Sequence, residues 1–262
     1  MVYYFSGTGN SKYVAKRIAK AIGEKVINIF EYVNEENLVF ELSEDTNIGI
    51  VFPTYYFGMP LIIEKFFEVL EMLNISNSNL NFKYIYIVYT YEASGAGIEY
   101  KILKSLSEKN IDLKYINSVK MPNNFSIYYN LGSLEEEKVI LEKAEVNIDK
   151  IIENIRNQNI KKPNYNIVKK IVSIVMYPVY KHGRNTRRFY ADDKCINCSL
   201  CEKVCPSNAI IMQDKKPKWI KPKCEYCLAC YNRCPVDSIQ IGGWTINRRR
   251  YYNPKVESLE ND

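Results

Sequence analysis

The chain opens on Val2-Tyr3-Tyr4-Phe5-Ser6-Gly7-Thr8-Gly9-Asn10-Ser11, and the order of residue types in this stretch decides the fold. Four apolar, strand-prone residues read as a short buried strand from Val2 to Phe5. Glycines and hydroxyls follow at once. Behind them Val14, Ile18 and Ala21 recur at three-to-four spacing, so a helix over Ser11–Ile22 begins where the loop ends. Backbone N–H groups in such a loop point inward, glycines allow close approach to the backbone, and the hydroxyls of Ser6, Thr8 and Ser11 add hydrogen bonds. The helix N-terminus favours a phosphate dianion. A dinucleotide fingerprint would need Gly where Lys12 stands, and a triphosphate loop would need four spacers after its first Gly and then Gly-Lys-Ser or Gly-Lys-Thr. Neither pattern is present.

Working outward, the same strand-then-helix unit repeats. Further strands are expected at Lys25–Ile29, Asn47–Phe52, Tyr84–Thr90 and Lys114–Val119, and helices at Leu61–Leu73, Ala96–Lys109 and Leu134–Ile155. This alternation implies right-handed crossovers and an α/β fold, a doubly wound parallel sheet of five strands covered on both faces. Ligands are then expected at the carboxyl ends of the strands. After Pro163 the pattern changes: Ile167, Ile171, Ile174, Val175 and Val179 share one helical face, and Pro178 is expected to end or kink that helix. The expected units are a ligand-binding domain over 1–160, a basic linker with an amphipathic helix over 161–190, a cysteine-rich domain over 191–245 and a polar, loose tail over 246–262.

All eight cysteines of the 262-residue chain lie in that third unit, as two copies of one motif 29 residues apart: Cys195-x2-Cys198-x2-Cys201-x3-Cys205-Pro206 and Cys224-x2-Cys227-x2-Cys230-x3-Cys234-Pro235. Residues 1–194 contain none, so a disulfide framework would leave the larger domain unstapled, and thiolate metal ligands are the better reading. A C-x2-C-x2-C loop wraps three corners of a 4Fe-4S cubane, and the fourth cysteine of each motif ligates the other cluster. This rule groups Cys195, Cys198, Cys201 and Cys234 around one cluster and Cys224, Cys227, Cys230 and Cys205 around the second. Zinc is the competing reading, because C-x2-C pairs also make four-thiolate sites. Two complete tandem motifs with both prolines favour iron–sulfur.

Residues 190–243 closely resemble the bacterial two-cluster ferredoxins, with every ligand position matched. The resemblance implies a small pseudo-symmetric α+β ferredoxin-like domain that passes single electrons. Ser6-Gly7-Thr8-Gly9-Asn10-Ser11 resembles the FMN phosphate loop of flavodoxins, over residues 1–158, and implies the sheet order 2-1-3-4-5. In that family two further loops at the strand ends flank the isoalloxazine ring. Here they would be Pro53-Thr54-Tyr55-Tyr56-Phe57-Gly58 and Thr90-Tyr91-Glu92-Ala93-Ser94-Gly95, with Met121–Phe125 a further candidate. Together the halves resemble the flavodoxin-ferredoxin fusion proteins. The resemblance implies an electron-transfer flavo-iron-sulfur protein that moves electrons between FMN and two 4Fe-4S clusters to or from redox partners, as in anaerobic metabolism. An FMN-dependent reductase of a small organic substrate and a redox or oxygen sensor are the alternatives.

Composition narrows the partners. The net charge is +6, and residues 159–191 hold eight Lys or Arg and no acid, so the remainder is slightly acidic and a broadly basic nucleic-acid surface is not supported. The basic stretch suits an acidic redox partner or anionic lipid. No run approaches the roughly 20 apolar residues of a membrane-spanning helix, and the strand-like start leaves no room for a leader, so a cytoplasmic protein is expected. Direction of electron flow and oligomeric state are not encoded. His182, the lone histidine, reads as a solvated linker residue; Glu135–Glu137 suit a helix N-terminus; Arg248–Arg250 read as a short basic run in the tail.

Overall fold

The computed structural model describes residues 1–33, 47–76, 83–95 and 97–259. Its main sheet is built from β1 (Val2–Tyr4), β2 (Val26–Asn28), β3 (Asn47–Pro53), β4 (Tyr84–Tyr91) and β5 (Leu113–Lys120). All neighbouring pairs are parallel, and the order is β2-β1-β3-β4-β5. Period-two alternation sends successive side chains to opposite faces, so each face carries its own core. Ile48, Ile50, Phe52, Ile85 and Ile87 pack with Phe66, Phe67, Ile98 and Ile102 from α3 (Leu61–Ser76) and α4 (Ile98–Ser107). Val51, Tyr86 and Val88 pack on the other side with Val14, Ile18, Ile148 and Ile151 from α1 (Asn10–Ile22) and α5 (Leu134–Arg156). A buried side chain of this class contributes about 1.5–3 kcal/mol, so this double layer holds the sheet.

Strand and helix bounds agree with the sequence expectations to within a few residues, except that Ile29 starts a short helix, α2 (Ile29–Val33), instead of extending β2. Ala96, expected to open α4, lies outside the described residues. The start of α5 is fixed by a capping box: the Glu136 N–H donates to Ser133 Oγ, and the Ser133 N–H donates to the Glu136 carboxylate.

The helix expected as a linker, α6 (Ile167–Gly183), lies against the first domain. It runs through Pro178, which removes one N–H; Pro178 and Ile174, four residues before it, are both exposed, so the orphaned Ile174 carbonyl is open to water. The contact is close. Gly97 takes φ +80, and a Cβ there would collide with the Lys169 carbonyl and Ser173 Cβ, so only glycine admits this crossing. Ser173, Tyr177 and Tyr180 form the buried face, while Ile167, Ile171, Ile174, Val175 and Val179, the apolar face read from the spacing, point to solvent.

The cysteine domain displays its repeat in the backbone. Two one-turn helices, α7 (Leu200–Lys203) and α8 (Ala229–Asn232), and the strands β7 (Ile210–Gln213) and β9 (Ile239–Ile241) stand 29 residues apart. Left-handed residues repeat at the same interval: Asn197 and Tyr226, Ser199 and Leu228, Asn208 and Asp237. Strand β7 forms a hairpin with β8 (Lys216–Trp219) across Asp214 and Lys215, both at positive φ as a two-residue hairpin turn requires, and β9 pairs antiparallel with β6 (Phe189–Ala191). The segment expected as a loose tail is packed instead. Arg250 stacks on Tyr231 at 3.3 Å, Arg249 pairs with Glu137, and Val256 of α9 (Lys255–Ser258) is buried against the α1 face of the sheet domain.

Candidate functional site

The second cysteine loop surrounds a partly enclosed cavity lined by Cys205, Cys224, Cys227 and Cys230 together with Phe189, Ile210 and Trp219. The crossing cysteine of the first motif thus stands with the three of the second. In the other set, Cys195 and Cys198 are the electrostatic neighbours of Cys201, and Cys234 joins Cys201 in the apolar cluster around Leu228 and Tyr231. Among the described residues, no three His, Cys, Asp or Glu side chains converge as they would on a single ion. The four sulfurs rim an opening.

Backbone amides point at sulfur. The Ala209 N–H donates to Cys205 Sγ at 3.3 Å, the Ser238 N–H to Cys234 Sγ at 3.2 Å, and the Tyr226 N–H to Cys224 Sγ at 3.3 Å. The first two are repeat-related and follow the Cys-Pro turns. Such bonds stabilise thiolate charge and tune the potential of any cluster held there. Burial pushes the free thiols the other way: Cys227 and Cys230 lie well above the usual thiol range, Cys224 is pushed up to about 12 and Cys201 to about 11, with neighbouring cysteines adding to the effect. Only Cys198 is exposed.

The loop Ser6–Ser11 lies at the carboxyl end of β1, where a doubly wound sheet places its ligands. It is covered by the chain itself. Gly7 meets the Cys227 carbonyl, and a Cβ on Gly7 would fall far inside 3.0 Å of it. Thr8 Oγ1 accepts from Asn124 Nδ2 at 2.5 Å, and the Thr8 carbonyl accepts from the Asn253 N–H at 2.9 Å. Asn10 Oδ1 accepts from both the Tyr251 hydroxyl at 2.7 Å and Asn253 Nδ2 at 3.0 Å, while its Nδ2 donates to the Pro122 carbonyl. Ser11 Oγ pairs with Thr90 Oγ1 at 2.8 Å, and the Gly9 N–H donates to Ser6 Oγ at 3.1 Å. Gly9 packs under Asn253 and Val256.

The other two loops part company. In 53–58, Thr54 Oγ1 is buried with no hydrogen-bond partner, Tyr56 and Phe57 take positive φ, and Gly58 lies under the Tyr177 ring. Tyr55 packs edge-on against Phe5 and Tyr180, and burial beside Cys227 and Glu225 pushes its hydroxyl pKa far up. Helix α6 binds this loop through Ser173 Oγ to the Phe57 carbonyl and through the Tyr177 hydroxyl to the Met59 carbonyl. The Tyr180 hydroxyl donates to the buried Glu225 carboxylate at 2.9 Å, whose pKa burial raises. By contrast Tyr91, Ser94 and Gly95 line an open cavity of about 370 Å³ with Tyr89, Glu99 and Lys169.

A phosphate loop and a ring site therefore fit FMN in donor type, and the unpartnered Thr54 hydroxyl is the group a bound polar edge would satisfy. As arranged, however, the Asn10 Nδ2 donor is spent on the Pro122 carbonyl and Ser11 Oγ pairs with Thr90, while Thr8 Oγ1 and Asn10 Oδ1 only accept, so the Thr8 O–H keeps its proton for a phosphate. The phosphate loop lines no part of the 370 Å³ cavity. Tyr180, Tyr251 and Asn253 carry no motif; Glu225 stands at a spacer position of the second cysteine motif, and Asn124 in the stretch Met121–Phe125.

Residues 188–235, which include all eight cysteines, match the family model of the 4Fe-4S dicluster domain. Over 61 residues the chain is 39% identical to an uncharacterized polyferredoxin-like protein of Methanocaldococcus jannaschii, a match covering 18% of this chain and 36% of that protein. The chain thus spans about a third of the length of that curated relative. Similar solved structures include a flavodoxin from the domain Archaea, at 21% identity over 58% of this chain and 96% of that one with a TM-score of 0.35. Another is the rubredoxin oxygen:oxidoreductase of Desulfovibrio gigas, at 13% identity over 58% of this chain and 35% of that one, also at 0.35. The fold rests on the strand order rather than on these values. Order 2-1-3-4-5 in the sheet and the dicluster match over the cysteines show a flavodoxin-like α/β domain joined to a 4Fe-4S dicluster domain in one chain.

Proposed function

We propose that the protein is an electron carrier in which FMN on the sheet domain and two 4Fe-4S clusters on the cysteine domain form one internal path. A flavin exchanges one or two electrons and a cubane one, so the pair converts between the two kinds of redox chemistry. The observation that carries the reading is the seat of Cys227 on Gly7. This contact supports a cluster of Cys205, Cys224, Cys227 and Cys230 beside the phosphate loop. The cluster of Cys195, Cys198, Cys201 and Cys234 is the outer one, and the exposed Cys198 marks its edge as the exchange point with a partner protein.

The chain's own residues have distinct tasks in this reading. Ser6, Gly7, Thr8, Gly9, Asn10 and Ser11 hold the phosphate; Pro53, Thr54, Tyr55, Tyr56, Phe57 and Gly58, with Thr90, Tyr91, Glu92, Ser94 and Gly95, flank the ring. Tyr55, Tyr180 and Glu225 form a dry wall between sheet and cysteine loop, and Asn124 and Asn253 carry amide donors at the loop that a phosphate oxygen can take over from Thr8 and Asn10.

The test is anaerobic reconstitution with iron, sulfide and flavin analysis, followed by stepwise reductive titration. About eight iron and one FMN per chain are expected. Zinc in place of iron, or loading without flavin, overturns the reading. A second reading, reduction of a small organic substrate, is favoured by one feature, the 370 Å³ cavity in which Glu99 holds the Tyr89 hydroxyl at 2.8 Å near Lys169. Steady turnover of a substrate without a protein acceptor would select it.

A further inference from the structure

Helix α6 is amphipathic the wrong way round for a helix that packs on a protein. Its inner face is Ser173, Tyr177 and Tyr180, and its outer face is Ile167, Val168, Ile171, Ile174, Val175 and Val179, each between 45% and 73% exposed. At 3.6 residues per turn these six positions share the side opposite the buried tyrosines, a strip roughly 18 Å long. Soluble proteins seldom leave so continuous an apolar strip open without a use for it.

The charge around the strip names its occupant. Residues 159–191 carry Lys161, Lys162, Lys169, Lys170, Lys181, Arg184, Arg187 and Arg188 and no acid. Several of these cations also engage the chain: Lys162 and Lys181 pair with Asp112 and Glu64, Lys161 reaches Asn117, Lys170 lies over the Tyr100 ring, and Arg184 and Arg188 lie over Tyr180 and Trp244; Lys169, His182 and Arg187 are exposed. We propose that α6 docks the protein on an anionic lipid bilayer surface, lying in the plane of the interface with its Ile and Val side chains among the acyl chains and its lysines at the phosphates. No helix among the described residues is long and apolar enough to cross a membrane, which leaves the in-plane orientation. A second copy of the chain fits less well, because pairing two such faces brings two acid-free cationic segments together. A protein partner fits less well too. The strip holds only Ile and Val, without the aromatic or Arg anchors that dominate protein interfaces. This inference is independent of the flavin assignment.

The experiment is co-sedimentation of the full, cluster-loaded chain with vesicles of phosphatidylcholine alone and of phosphatidylcholine with 30% phosphatidylglycerol. The chain is expected to pellet with the anionic vesicles only, and less so as salt rises. Two variants at exposed positions, Ile171→Glu with Val175→Glu and Ile171→Gln with Val175→Gln, should each lower the partition at least tenfold while the visible cluster spectrum and the melting temperature stay unchanged. The Gln pair separates loss of apolar contact from added repulsion. The proposal is overturned if the wild-type chain stays in the supernatant with anionic vesicles, or if both variants pellet as it does. It is equally overturned if the chain forms a concentration-dependent dimer, seen by analytical ultracentrifugation, that both variants abolish. That last result would assign the strip to a second copy.

Discussion

The carbonyl oxygen of Cys227 rests on the Cα of Gly7, so a cluster-ligand loop and a phosphate loop 220 positions away in sequence share one van der Waals contact. The contact is backbone against backbone, so no rotamer change can relieve a side chain placed there. Gly7→Ala should force the second cysteine loop off the sheet and cost about 1–3 kcal/mol of stability, the usual range for overpacking. Gly183→Ala, where a Cβ meets nothing within 4 Å, is the control and should change little. Denaturant unfolding of the two loaded variants under anaerobic conditions measures the difference; equal midpoints would mean the two domains are not seated on one another in solution.

Crossed ligation gives an asymmetric outcome for the two cysteines that precede proline. Cys205→Ser should empty the cavity it shares with Cys224, Cys227 and Cys230 and spare the other cluster, while Cys234→Ser should do the reverse. Iron content in each should fall roughly by half. Electron paramagnetic resonance of the reduced variants distinguishes which cluster survives. Loss of the cluster belonging to the mutated residue's own motif would refute the pairing.

Cluster loading should be strongly pH-dependent. Burial raises the thiols of Cys227 and Cys230 and lifts Cys224 to about 12, so near neutrality these ligands carry protons that iron must displace. Because the folded-state values are raised, the penalty is largest at low pH and declines as pH climbs toward them. Iron incorporation into the apo-protein should therefore increase steadily between pH 7 and pH 9. A flat profile, read from visible absorbance, would show that the loop opens before it takes up iron.

The polar groups over the phosphate loop make a prediction about flavin. Asn253 and Asn124 give amide protons to Asn10 Oδ1 and Thr8 Oγ1, so both are donors at the loop that a phosphate oxygen can take over. A net hydrogen bond is worth about 1 kcal/mol, so Asn253→Ala should weaken FMN binding by about fivefold, and the double variant with Asn124→Ala by more. Flavin fluorescence titration of the anaerobic protein checks it. Tighter binding in Asn253→Ala would mean that the tail competes with the phosphate instead of supporting it.

Much was legible because it depends on local periodicity. Short apolar runs separated by three-to-four-spaced stretches are enough for five parallel strands, and a doubly wound sheet then places Ser6–Ser11 at a strand end. The 29-residue repeat fixes the paired left-handed residues at Asn197 and Tyr226, because each C-x2-C loop folds on its own few bonds. Five of the six Ile and Val residues of that strip, Ile167, Ile171, Ile174, Val175 and Val179, were legible as a face but not as to which way it points. The inward face is chosen by Tyr177 and Tyr180, whose hydroxyls find Met59 and Glu225 more than 40 residues away.

By itself, then, the sequence determined the parallel sheet and the two repeated cysteine motifs, since each is written in neighbours a few residues apart. Only the tertiary structure decided that the second cysteine loop sits on Gly7, that Tyr251 and Asn253 close over Asn10, and that the apolar face of α6 looks outward. Those are matches between surfaces distant in sequence, set by close packing and by the need of each buried polar group for a partner, and no local pattern encodes them.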